Sequence, residues 1–154
     1  MIYDFYFIRW QPFCILRCLL LFTIKPKVRL LKTIIQDFWD TASGKTKTRE
    51  LLAPYVSEEA MFQHVEMFER GSPQYRLEAE DMIEEKDRVV VRARFMGTHN
   101  GDFNGIAPTG KSVDLPFIII YRIEGGKIAE HWLEANHLAL LTQLGVMNTE
   151  PQPA

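Results

Sequence analysis

The chain has 154 residues, 47% of them hydrophobic and 25% charged, with a net charge of −2 and a pI near 6.1. That length suits one ordinary domain, and the charge balance gives no electrostatic basis for nucleic-acid binding. The partners expected are a small hydrophobic molecule and a second copy of the chain. Cys14 and Cys18 are the only cysteines, too few for a disulfide framework or, without further ligands, a zinc site. A reducing, cytoplasmic setting is expected.

Residues 1–27 differ from the rest of the chain: they are dense in aromatic and aliphatic side chains, yet Arg9, Pro12, Arg17 and Lys25 interrupt every apolar run. A membrane-spanning helix needs about 20 consecutive apolar residues, and no small-x-small cleavage pattern follows a signal-like core. Three readings stand: a membrane-surface anchor, a degenerate signal, and a non-native extension from a start codon placed too far upstream, which we favour. Membrane contact is expected only if this segment is genuine. The domain itself is expected over residues 28–147, with a loose tail at 148–154.

From Val28 onward, Leu31, Ile34, Ile35, Phe38, Trp39 and Ala42 repeat at helical spacing, and Gly44 ends the stripe. A short second helix is expected from Arg49 to Tyr55, broken near Pro54. Ser57 reads as the cap of a third helix carrying Met61, His64, Val65 and Phe68, and Gly71 with Pro73 stops it. Strands then take over. Tyr75, Leu77 and Ala79 alternate with charged residues. Val89, Val91, Ala93 and Phe95 share one face, with Arg92 and Arg94 on the other as solvated or subunit-facing groups.

A glycine-rich connection, residues 99–111, reads as a long hairpin loop whose Phe103 and Ile106 tuck back as a lid; it lacks the spacing of a phosphate-binding loop. The run SVDLPFIIIYRI is nearly continuous in apolar residues, as in a strand covered on both faces, and Pro116 points to a bulge or edge. Gly125-Gly126 then mark a tight hairpin turn. The strand after it carries Glu130, His131, Trp132, Glu134 and Asn136, and a short leucine-rich helix closes the domain. The layout is α+β: a cone-shaped, curved antiparallel sheet with N-terminal helices over one face. Its uncovered face calls for a homodimer.

The stretch RARFMGTHNGDFNGIAPTGKSVDLPFIIIYRIEGGKIAEHW, followed by LTQLG, resembles the SnoaL-like polyketide cyclases, also called ester cyclases, of the nuclear-transport-factor-2-like superfamily. The likeness is strongest from Val89 to Gly145, weaker back to Leu31, and absent over residues 1–27. It implies the cone fold and an intramolecular ring closure carried out by an acid/base aspartate, without metal or cofactor. Many relatives keep that aspartate at the position of Asn136; a second alignment puts it at Leu133, with polar partners at Phe117 and Ile119. None of these positions is charged here.

Asparagine donates hydrogen bonds but cannot exchange a proton near neutral pH. His131, with an ordinary pKa near 6.5, is one substitute. Glu134 is another, given an apolar pocket that raises its pKa. Strand parity keeps the two apart, since His131, Leu133 and Ala135 share one face and Glu130, Trp132, Glu134 and Asn136 the other. If Phe117, Ile119 and Tyr121 point inward, His131 is the pocket residue, with His99 as its neighbour. With the opposite parity, Glu134 and Asn136 line the pocket beneath Trp132. Structural roles are open too, with Glu130 and Glu134 solvated and Trp132 at a subunit contact. The candidate catalytic residues are thus His131, Glu134 and Asn136. The candidate ligand-binding residues are Trp39, His64, Phe95, His99, Phe117, Ile119, Tyr121 and Trp132, with Phe38 and Phe68 adding to an apolar wall. The function implied is a cofactor-free cyclase or isomerase acting on a polyketide-like molecule, or a binding module that has lost its acid/base.

Overall fold

A computed structural model of the chain describes residues 30–147. The expectations for residues 1–27 and for the tail from 148 lie outside the described residues. Helix α1, Leu31–Ala42, buries Ile34, Ile35, Phe38, Trp39 and Ala42, the stripe that its spacing anticipates. Ile34, Ile35 and Phe38 each contribute roughly 1.5–3 kcal/mol of burial. Gly44, at φ +70°, turns the chain out of the helix. Helix α2, Arg49–Leu52, is shorter than expected; Thr48 caps it by accepting from Leu51 N, and it ends before Pro54.

Helix α3 spans Glu59–Gly71 and starts one residue later than a Ser57 cap requires. The backbone N–H and hydroxyl of Ser57 both donate to the Ile128 carbonyl, so its side chain ties α3 to the sheet instead of capping it. Glu58 occupies the cap position, yet its side chain makes no capping bond.

The sheet is a meander of β1 (Arg76–Glu85), β2 (Arg88–Thr98), β3 (Ser112–Glu124) and β4 (Lys127–Ala135), antiparallel and in sequence order. Helix α4, His137–Leu144, closes the domain. Gly125 and Gly126, at φ +57° and +79°, form the two-residue turn between β3 and β4; positive φ at both positions is what a turn matched to strand twist requires. Two bonds from the amides of Asn100 and Gly101 to the Gly71 carbonyl pin the long loop between β2 and β3 onto the end of α3. Phe103 packs on Phe68 with ring centroids 5.2 Å apart, as expected of a residue that folds back on the domain.

Two features of the sheet depart from the sequence-based expectation. First, β3 is covered on one face only. Val113, Leu115, Phe117, Ile119, Tyr121 and Ile123 are buried, whereas Ile118 remains 46% exposed. The continuous apolar run hides this alternation because the outward positions are also apolar. Pro116 pairs with Arg94 on β2 but lies beyond the ladder with β4, which begins at Phe117; it therefore removes no bond from β4. Second, the β3–β4 register slips by one residue. Ile123 faces Ile128, but Arg122 faces Glu130, leaving Ala129 as an unpaired bulge.

The outward face carries Val90, Ile120 and Trp132 as cross-strand neighbours, with Ile118 next to Ile120 along β3. Ion pairs frame them: Arg92 with Glu80, Arg94 with Asp114 at 2.8 Å, and Arg122 with Glu130 at 2.9 Å. Arg92 and Arg94 are thus partnered on this face. Among the described residues no helix is long and apolar enough to cross a membrane.

Candidate active site

Opposite that face, the helices and the inner side of the sheet enclose an apolar cavity of about 60 Å³. Phe68, Phe95, Leu115, Phe117, Ile119, Tyr121 and Leu133 line it, together with His64 and Tyr75. It adjoins an outer cleft of about 720 Å³, walled by His64, Phe68, Phe103, Ile106, His131, Leu133 and Leu141. His64 borders both spaces. The inner cavity holds only a few non-hydrogen atoms, so a ring-sized ligand would occupy the cleft and insert one end.

Three side chains meet at this junction. Glu58, withdrawn from capping α3, places Oε2 2.6 Å from Nδ1 of His131 on β4. His131 Nε2 lies 3.0 Å from Nδ1 of His64 on α3, and the two rings stack with centroids 5.2 Å apart. The side chains of His131 and Glu58 are only 11% and 20% exposed, so the pair is shielded from solvent. Donor and acceptor chemistry assigns the protons. A carboxylate oxygen only accepts, so His131 Nδ1 donates to Glu58. When His131 is neutral, its bare Nε2 accepts from His64 Nδ1–H. This leaves His64 Nε2 with a lone pair, unbonded among the described residues.

Burial first, and then the charge of His131, lower the His64 pKa from 6.5 to about 4. His64 is therefore neutral at pH 7. A proton taken at its Nε2 need not leave charge on it, because passing the Nδ1 proton to His131 puts the positive charge beside Glu58 instead. The low pKa also has a consequence for stability. As pH falls below 6.5 the unfolded chain binds a proton that folded His64 refuses until about pH 4. Stability is thus complete above pH 6.5 and declines down to pH 4, by up to about 3 kcal/mol. Urea denaturation at pH 7 and 4.5 should show a larger acid loss in the wild type than in His64→Gln, and parallel losses would refute this assignment.

The other candidate residues fall into distinct places. Phe95, Phe117, Ile119 and Tyr121 line the cavity, and so do Leu133 and Ala135. Trp39 is buried behind the wall, its side chain reaching from α1 to β3, where Nε1 donates to the Tyr121 hydroxyl at 3.1 Å. His99 does not neighbour His131. It is 1% exposed and anchors the loop base, where Nδ1 accepts from Thr109 N at 3.2 Å. Trp132 and Glu134 project from the outward face, since the register pairs them with Ile120 and Ile118 rather than with Tyr121 and Ile119. The indole lies under the Arg88 guanidinium, 5.1 Å from its centroid. Asn136 is spent on α4: its Oδ1 accepts from Ala139 N at 3.0 Å as the helix cap. Glu58 is the site residue that the sequence does not single out. It looks like an ordinary acidic residue at a helix start, and its partner is 73 positions away. Among the described residues no group of three His, Cys, Asp or Glu side chains is placed to hold a metal ion.

The chain is similar in structure to TsrD from Streptomyces laurentii, with 24% identity and a TM-score of 0.66 over 76% of this chain and 96% of that one. It is likewise similar to a SnoaL-like polyketide cyclase from Agrobacterium tumefaciens, with 20% identity and a TM-score of 0.64 over 76% and 99%. AclR from Streptomyces galilaeus shares 34% identity, with a TM-score of 0.54 over 63% of this chain and 62% of its own. No curated protein matches the sequence. The family model described as SnoaL-like polyketide cyclase matches residues 32–144, which take in all the helices and strands but for the first residue of α1, and the chain belongs to the SnoaL-like polyketide cyclase family.

Proposed function

We propose that the protein is a cofactor-free acid–base catalyst, a cyclase or isomerase that removes a proton from carbon next to a carbonyl in a polyketide-like ring compound. The observation that carries this reading is the Glu58–His131–His64 chain, whose last member lines the apolar cavity. The hydrogen-bonded histidines take the role that the family likeness gives to an aspartate. A neutral imidazole suits proton transfer near pH 7, and apolar walls keep water from competing for the carbanion-like intermediate. The cleft outside the cavity has room for the rest of a flat, hydrophobic substrate.

The test uses 2-tetralone, a fused-ring ketone with exchangeable α-hydrogens. In deuterium oxide the wild-type protein should accelerate their exchange, followed by proton NMR. Exchange at the buffer rate, with tetralone bound, would leave a ligand-binding module and overturn the catalytic reading. The ion-pair-framed apolar patch on the outward face supports the homodimer expected from sequence. Sedimentation equilibrium should give twice the chain mass of 17.9 kDa; a monomer mass would exclude it.

A further inference from the structure

Acid–base chemistry at the imidazoles leaves two hydroxyls of the inner cavity, those of Tyr75 and Tyr121, without a role. Tyr121 lines that cavity and is 1% exposed. Its hydroxyl accepts the indole N–H of Trp39, and an indole nitrogen can only donate. The phenolic proton is therefore not used in that bond, and no described residue accepts it. A buried hydroxyl proton without an acceptor costs stability, so its placement asks for an acceptor supplied by a ligand. Tyr121 pairs with His131 in the ladder, and it shares the wall of the inner cavity with His64, the imidazole that borders both spaces.

We propose that Tyr121, aimed by Trp39, donates its phenolic proton to a ligand carbonyl oxygen in the inner cavity, which makes the ligand class enolisable ketones rather than hydrocarbons. This builds on the acid–base reading of the same cavity. The α C–H bond breaks and its proton goes to His64 Nε2. The bonding electron pair forms the new C=C bond as the carbonyl π pair moves to oxygen. There the Tyr121 O–H meets the developing negative charge, as a preorganised donor does in a water-poor site. Return of the proton to carbon restores the ketone. Burial raises the Tyr121 pKa, so the group stays a donor throughout the neutral range. Tyr75 brings a second hydroxyl to the same wall, but nothing fixes its direction as Trp39 fixes that of Tyr121.

The carbonyl stretching band of bound 2-tetralone, measured by infrared difference spectroscopy, reads the donor directly. It should lie at lower wavenumber on the wild-type protein than in hexane, return towards the hexane value in Tyr121→Phe, and stay put in Tyr75→Phe. Tetralone should also bind about tenfold more tightly than tetralin to the wild type, and this preference should vanish in Tyr121→Phe. If Tyr121→Phe proves unstable, Trp39→Phe frees the hydroxyl from its aiming bond, and the wild-type band should broaden or shift. An unmoved band in a folded Tyr121→Phe or Trp39→Phe protein, a band that moves only in Tyr75→Phe, or absence of tetralone binding would overturn the proposal. A normal band shift without exchange would sink only the acid–base reading, and exchange without a band shift would sink only the Tyr121 site.

Discussion

His64→Gln should slow tetralone exchange by about 10²–10⁴-fold, the usual worth of a general acid–base group. Glutamine is the informative replacement because its amide can still donate to His131 Nε2, preserving the hydrogen bond seen at 3.0 Å, while offering no nitrogen lone pair basic enough to take a proton. Glu58→Gln separates positioning from charge. The amide oxygen still accepts from His131 Nδ1, so the proton arrangement survives, but the negative charge that would face an imidazolium is gone. Its exchange rate should fall between those of the wild type and His64→Gln. Melting temperatures measured alongside show whether the fold persists. A full wild-type rate in folded His64→Gln would remove that residue from the chemistry and leave the cavity as a binding site.

Gly101→Ala should destabilise the protein by about 3 kcal/mol, or release the loop that walls the cleft. A Cβ on Gly101 would lie 1.9 Å from the Arg70 carbonyl oxygen, far inside contact distance, and that oxygen belongs to the backbone of α3. Overpacking against side chains costs about 1–3 kcal/mol because the side chains can yield; helix backbone yields less. The segment would have to lift, breaking the bonds from Asn100 and Gly101 to Gly71 at 3.0 Å each and drawing Phe103 off Phe68. Urea denaturation gives the global effect, and amide hydrogen exchange over residues 100–106 shows whether the loop opens first. A variant that matches the wild type in both would show that the loop is not held as tightly as this contact requires.

Much of the fold is legible in the sequence because its signals are local. The stripe on α1, the paired glycines after Glu124 and the alternation along β2 each need only a short window of sequence to be read. The site is half legible. Parity correctly groups His131 with Leu133 and Ala135, but which group faces inward depends on a bulge with no sequence mark. The bond between His64 and His131 spans 67 positions, beyond any periodicity. Glu58 is hidden for another reason: an acid at a helix start already has a sufficient explanation, and only the missing capping bond shows that its carboxylate is used elsewhere. The one-sided burial of β3 is masked by isoleucines that face outward.

The unpaired Ala129 decides which side-chain set the last strand offers to the interior. Ile128 is fully buried, so an unbroken two-residue rhythm from it would turn Glu130, Trp132 and Glu134 inward and His131 out. The single extra residue inverts that rhythm just before the histidine. Removing or adding one residue here would exchange an imidazole lining for one of carboxylates and indole, with every neighbouring strand left as it is. Within this scaffold, a change in length by one codon is a change in reagent, and chains of this architecture are best compared by where that insertion falls before their strand residues are matched one to one.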